Sequence, residues 1–152
     1  MRLPEQITGL NALINLRELD LSMNRIKQIS GLSGLKKLAD LSLYCNQISV
    51  LEGLEDQKES LEVLSLGRNQ IADQASIAYL RPFACLRIVC LEHNPVSQGE
   101  GSEYRGSTIA LLPHLRYLDW VAVGPGERRQ ASEAFHRLIT DADDMQVRME
   151  FE

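Results

Sequence analysis

The sequence predicts an α/β solenoid: a right-handed coil in which every turn adds one short parallel strand to a concave sheet. Three observations predict it. One nine-residue phrase recurs, reading Leu-Arg-Glu-Leu-Asp-Leu-Ser-Met-Asn from Leu16 and Leu-Ala-Asp-Leu-Ser-Leu-Tyr-Cys-Asn from Leu38. It returns as Leu-Glu-Val-Leu-Ser-Leu-Gly-Arg-Asn from Leu61 and Leu-Arg-Ile-Val-Cys-Leu-Glu-His-Asn from Leu86. Its closing residues Asn24, Asn46, Asn69 and Asn94 stand 22, 23 and 25 residues apart, and self-similarity at such a period marks a stacked repeat. Inside each phrase the apolar residues alternate with period two, the signature of a short strand. Finally, 44% of residues are hydrophobic but only 5% aromatic, so aliphatic side chains must fill the core.

The pattern L-x-x-L-x-L-x-x-N at this period is that of a leucine-rich-repeat solenoid of the 22-residue class. Leu19 and Leu21 point inward from the first strand, followed by Leu41 and Leu43, Leu64 and Leu66, then Val89 and Leu91. Ile26, Ile29, Leu32 and Leu35 fill the back of the first full coil, matched by Ile48, Leu51 and Leu54 in the next. So short a coil leaves little room for helix on the convex side. Short 3₁₀ turns are expected there, with Ile77–Phe83 in the longer third repeat the best candidate for helix. Where each strand bends, backbone N–H and C=O groups face inward without sheet partners, and a buried amide side chain can bond both kinds. The ladder Asn24, Asn46, Asn69 and Asn94 is therefore read as structural rather than as a ligand or glycan site. Losing one rung would leave buried groups unsatisfied at about 1–3 kcal/mol.

The ends depart from the repeat. After Asn94-Pro95 a polar segment, Ser97–Ser107, precedes a last strand-like stretch in which Leu115, Leu118 and Trp120 take the inward positions. Terminal repeats need a closing element, and Trp120 is expected to seal the stack as part of the cap core. At the other end Ile7, Leu10 and Leu13 match the back half of a coil whose strand is missing. The chain is then a piece of something longer, or a partner covers the sheet edge. Residues 1–123 are expected to form the repeat domain with its cap, and 124–152 a C-terminal helix. In that helix Ala131, Phe135, Leu138, Ala142, Met145 and Met149 are spaced 4, 3, 4, 3 and 4, the a/d spacing of a coiled-coil seam. The spacing fits the start of a coiled coil, with a partner at Phe135, Leu138 and Met145, or equally a single helix folded back over the cap.

No catalytic constellation is found, and the chain is not expected to be an enzyme. His93, His114 and His136 fall in different elements without metal-ligand spacing, and no nucleophile elbow, P-loop or dinucleotide fingerprint occurs. No cofactor and no metal are expected. A net charge of −5 disfavours direct nucleic-acid binding, which normally needs a basic face. Cys45, Cys85 and Cys90 are odd in number and form no C-x-x-C pair. With no signal peptide or long apolar run, a reducing intracellular compartment and no membrane are expected.

Strand register assigns the side chains a partner would meet. The third-position column is Glu18, Asp40, Val63, Ile88 and Tyr117. The fifth is Asp20, Ser42, Ser65, Cys90 and Asp119, and the seventh Ser22, Tyr44, Gly67, Glu92 and Val121. The face is acidic at its N-terminal end and apolar toward the middle. Val and Ile on a solvent-facing row point to a contact site, so the expected protein-binding residues are Glu18, Asp20, Asp40, Tyr44, Val63, Ile88, Glu92 and Tyr117. The flanking Arg17, Arg87 and Arg116 read as a solvated edge.

The repeat units and the closing Leu112-Pro-His-Leu-Arg-Tyr-Leu-Asp119 resemble the family that includes axonemal and nuclear leucine-rich-repeat proteins. Leu61-Glu-Val-Leu-Ser-Leu-Gly-Arg-Asn69, Ile77-Ala-Tyr-Leu-Arg-Pro-Phe-Ala-Cys-Leu-Arg87, Asn94-Pro-Val96 and Glu103-Tyr-Arg105 are most similar to its axonemal, dynein-associated branch. The insert around Gly99–Ser102 is longer than that branch would lead one to expect. The resemblance implies a non-catalytic scaffold in the axoneme of a motile cilium or flagellum, within the cytoskeleton. Its partners would be other subunits of an axonemal complex such as the dynein regulatory complex of the nexin–dynein linker. The alternatives it implies are a light-chain-like subunit docked on a dynein motor, a nuclear ribonucleoprotein scaffold, or a phosphatase-regulatory one.

Overall fold

The computed structural model describes residues 4–99 and 103–151. Four strands, β1 (Glu18–Asp20), β2 (Asp40–Ser42), β3 (Val63–Ser65) and β4 (Ile88–Cys90), lie parallel in chain order. The two-residue β5 (Tyr117–Leu118) continues the sheet, and β6 (Val121–Ala122) folds back antiparallel onto it. The register is in step throughout: Glu18, Asp40, Val63, Ile88 and Tyr117 are successive partners. One residue further along, Leu41, Leu64, Val89 and Leu118 stack in a fully buried column. The chain is thus a right-handed α/β leucine-rich-repeat solenoid. Leu19 on the first strand and Leu21 just after it are only half-buried.

Two glycines make the coils stack closely. Gly31 and Gly53 adopt φ of +71° and +73°, and a Cβ on either would lie 2.3 Å from the Ile7 carbonyl oxygen or 2.1 Å from that of Ile29. Neither position can take a side chain without the coils separating.

The convex side carries a 3₁₀ turn at Glu55–Gln57 and a short helix, α1 (Gln74–Ala78). The helix lies earlier than the Ile77–Phe83 expected from sequence. Asp73 starts it by accepting from the Ser76 N–H at 2.8 Å, an N-cap that fixes the first turn. Pro82 then disfavours helical backbone at Arg81. A second helix, α2 (Glu103–Leu111), occupies part of the polar segment and buries Ser107 through Leu111. The Gly99–Ser102 insert falls largely outside the described residues.

The expected single trailing helix is two. α3 (Pro125–Ala134) opens on Pro125, and α4 (His136–Phe151) follows a break at Phe135, whose φ and ψ are −114° and 28°. Both pack on α2. Ala131 and Ala142 are buried and Phe135 and Leu138 half-buried against the core, so this part of the heptad-spaced row folds back on the chain's own cap. Met145 and Met149 remain exposed, on the side of α4 that faces Ala75, Ala78 and Tyr79. Arg81 ties α4 down through Asp143 at 2.6 Å.

Trp120 is not in the cap core. It is 59% exposed, whereas Leu115 and Leu118 are buried as expected of inward positions. The reason is the backbone: Asp119 and Trp120 have φ of 50° and 65°, and they are the two residues joining β5 to β6. A two-residue hairpin with both central residues at positive φ has the conformation of a type I′ turn. The chain therefore reverses where the inward alternation would have continued, and the indole is left at the hairpin tip.

Candidate protein-binding face

The bend after each strand is built the same way in every coil. Met23, Cys45, Arg68 and His93 adopt φ between 54° and 58°, and each is followed by one of the asparagines. Asn46, Asn69 and Asn94 are buried. Asn69 accepts from the Ile48 N–H at 3.0 Å and donates to the carbonyls of Leu43 and Leu66, both at 2.9 Å. Asn46 bonds Ile26, Leu21 and Leu43 in the same geometry, and Asn94 bonds Ile71, Leu66 and Leu91. Asn24 is half-buried and donates to Leu21 and Ser22. Each full rung thus stitches two coils together, and its amide is spent on backbone.

The cap ends the sheet with a substitution of partners. In earlier coils the N–H of Leu21, Leu43 and Leu66 donates to the carbonyl of Ser42, Ser65 and Cys90 on the next strand. Because the chain turns away after Leu118, the N–H of Leu91 instead donates to the Asp119 carboxylate at 2.7 Å. That carboxylate also accepts from the Tyr104 hydroxyl at 2.8 Å, and burial, then the Asp119 charge, pushes the phenol pKa far up. Arg105 donates to the carbonyls of Leu118 and Ala122 and pairs with Glu127 at 2.6 Å. Its hydrogen bond to Glu127 holds that carboxyl below its ordinary range. Asp119, Tyr104 and Arg105 were not assigned this role by periodicity, because none of them occupies a repeat position that elsewhere does such work.

With the asparagines and the cap accounted for, the concave face is what remains open. Glu18, Asp20 and Asp40 are exposed at its N-terminal end. Partial desolvation of the carboxyl by its neighbours, and then the like charges of Glu18 and Asp20, raise Asp40 above its usual value. Among the described residues none of these three carboxylates has a cation within salt-bridge distance. Toward the middle Val63, Ile88 and Tyr44 are half-buried, and Tyr117 is exposed. The Tyr44 ring lies over Gly67, where a Cβ would sit 3.0 Å from Cδ2 of the ring and 3.3 Å from Cys90 Sγ. Cys90 is itself buried, and burial pushes its thiol up to about 11. It stays protonated at neutral pH and packs as a small apolar group. Glu92 and Trp120 close the far side of a groove of about 530 Å³ that runs from Ser22 and Asp40 past Val63 and Ile88. Of the expected residues the groove is lined by Asp40, Tyr44, Val63, Ile88 and Glu92, with Trp120 in addition, while Glu18, Asp20 and Tyr117 are not part of its lining.

A curved sheet whose inner row is an apolar strip with an acidic end, and whose core is stitched by an asparagine ladder, is an interaction surface of the leucine-rich-repeat kind. The leucine-rich repeat family model matches residues 5–146, and the chain belongs to that family. Dynein regulatory complex subunit 3 of Homo sapiens is 44% identical over 66 residues, which cover 43% of this chain and 12% of that protein. Leucine-rich repeat-containing protein 23 of Xenopus tropicalis is 37% identical over 128 residues, 84% of this chain and 30% of the relative. U2 small nuclear ribonucleoprotein A' of Neurospora crassa is 37% identical over 76 residues, 50% of this chain and 29% of the relative. This chain thus matches less than a third of the length of each. A solved structure of the Drosophila melanogaster SNF/U2A' complex contains a chain that superposes with a TM-score of 0.80 at 29% identity. The match covers 95% of this chain and 85% of that one. The domain is a protein-interaction scaffold, the usual non-catalytic role of this fold. Among the described residues no cluster of metal-binding side chains occurs, and no helix is long and apolar enough to cross a membrane.

Proposed function

We propose that this chain is a scaffold of an axonemal complex, holding a protein partner in its concave groove within the machinery that regulates dynein-driven ciliary or flagellar bending. The observation that carries the protein-binding part is the strip of Val63, Ile88 and Tyr44 on a row that faces solvent. Such a patch has no packing role in the solenoid and is stabilised by being covered. The axonemal part rests on the likeness to dynein regulatory complex subunit 3 in human, rat and macaque. A further likeness to dynein axonemal assembly factor 1 of mouse points the same way.

A second reading has its own support. The SNF/U2A' structure matches this chain along nearly its whole length, so a ribonucleoprotein scaffold that holds a protein partner is the alternative. Affinity purification of the tagged protein from ciliated and non-ciliated cells separates the two. Axonemal dynein-associated proteins recovered from ciliated cells alone support the leading reading. Spliceosomal proteins recovered from both cell types would replace it with the alternative.

A further inference from the structure

We infer that the groove takes an amphipathic helix, one that sets Lys or Arg over β1 and β2 and an apolar anchor against Ile88 and Trp120. The inference rests on the proposed concave-face scaffold and adds the chemistry and orientation of its partner.

The preference for a helix follows from what the groove offers. Its inner surface presents side chains, because the strand backbones bond one another and β6 pairs the far side of β5. A partner laid across the strands therefore finds no backbone donors or acceptors to complete a ladder. A helix brings its own backbone hydrogen bonds and offers only side chains, so it loses nothing there.

The orientation follows from charge. Glu18, Asp20 and Asp40 sit together at one end, and among the described residues none of the three has a cationic partner. The opposite end is mostly apolar, with Ile88 and Trp120 beside the single carboxylate of Glu92. Strands lie about 4.8 Å apart, so the acidic end and the Trp120 hairpin are separated by roughly 17 Å. At about 1.5 Å per residue that is roughly eleven residues, or three helical turns. The fitting partner then carries its basic residues about three turns from its apolar anchor.

Trp120 supplies the third, independent observation. A bulky residue with φ of 65° is an outlier, since a type I′ turn favours Gly at that place. Backbone strain of this kind is found where the surroundings or a function require it. Here it displays a half-exposed indole at the mouth of the groove, the side chain most enriched at the centre of protein contacts.

Defined 18-residue peptides test the inference, each with the same apolar seam and with three Lys or three Glu at one end. Binding of the labelled peptides is followed by anisotropy. As Trp120 is the chain's only tryptophan, its emission also reports whether the groove is occupied. The Lys-ended peptide is expected to bind about ten-fold more tightly than the Glu-ended one at low salt, with a shift of Trp120 emission to shorter wavelength. High salt should narrow that preference. Trp120→Gly and Trp120→Asn, which both suit positive φ, should keep the melting temperature and weaken the Lys-ended peptide at least about ten-fold. Equal binding of the two peptides, or undiminished binding to both Trp120 variants, would overturn the inference. The underlying scaffold reading fails separately, by a cellular partner that Val63→Glu with Ile88→Glu does not release.

Discussion

Asn69→Ala is expected to destabilise the domain far more than Asn24→Ala, although both remove the same side chain from the same place in the repeat. Asn69 is buried and holds three backbone groups from two coils, at 3.0, 2.9 and 2.9 Å. Truncation orphans the Ile48 N–H, for which an unmet buried donor costs about 1–3 kcal/mol. The carbonyls of Leu43 and Leu66 tolerate loss better than an N–H does, so the whole change is about 3 kcal/mol. Asn24 is half-buried, and among the described residues its side chain bonds the carbonyls of Leu21 and Ser22, within its own coil. Water can reach that bend, and its loss should cost about 1 kcal/mol or less. Equilibrium urea unfolding, monitored by far-ultraviolet circular dichroism, measures both. If Asn69→Ala stays within about 0.5 kcal/mol of the wild type, or if the two variants match, the ladder does not stitch the coils as described.

Two further predictions follow the same structure. Leu66→Ala opens a cavity in a fully buried column and should cost about 2–5 kcal/mol by the same assay. Asp40→Asn should raise stability slightly at neutral pH, because partial desolvation and the neighbouring carboxylates raise the folded-state pKa above the unfolded one. The sign is fixed by linkage: the penalty on the ionised carboxyl is present in full above the folded pKa and disappears below the unfolded one. The advantage of the amide variant over the wild type should therefore shrink as pH falls through the ordinary carboxyl range, and urea midpoints across that range check it.

The solenoid was legible in the sequence because its strands and bends are dictated by one repeated phrase. Period-two alternation placed Leu41, Leu64 and Val89 in one column, and the structure puts them there. Periodicity failed where a single residue overrode it. Asp119 begins a left-handed turn that carries Trp120 out of the inward register, and only an Asp followed by a bulky aromatic marked the place. The break at Phe135 likewise divides a row whose spacing alone suggested one helix. α2 escaped notice because its N-terminal half is polar and its buried face begins only at Ser107. The concave residues could be assigned from register because a strand's outward positions need no tertiary information. The caps at Tyr104 and Arg105 could not, since their bonds span 15 and 22 residues outside the repeat.

One paired measurement decides whether partners are held in the concave groove. Val63→Glu with Ile88→Glu places two charges on half-buried, solvent-facing positions while leaving the buried column intact. Co-purification from ciliated cells should lose the partners captured by the wild type, while the melting temperature of the purified domain stays nearly unchanged. Full capture by a folded double variant would contradict the concave-groove reading and move the binding surface elsewhere on the solenoid.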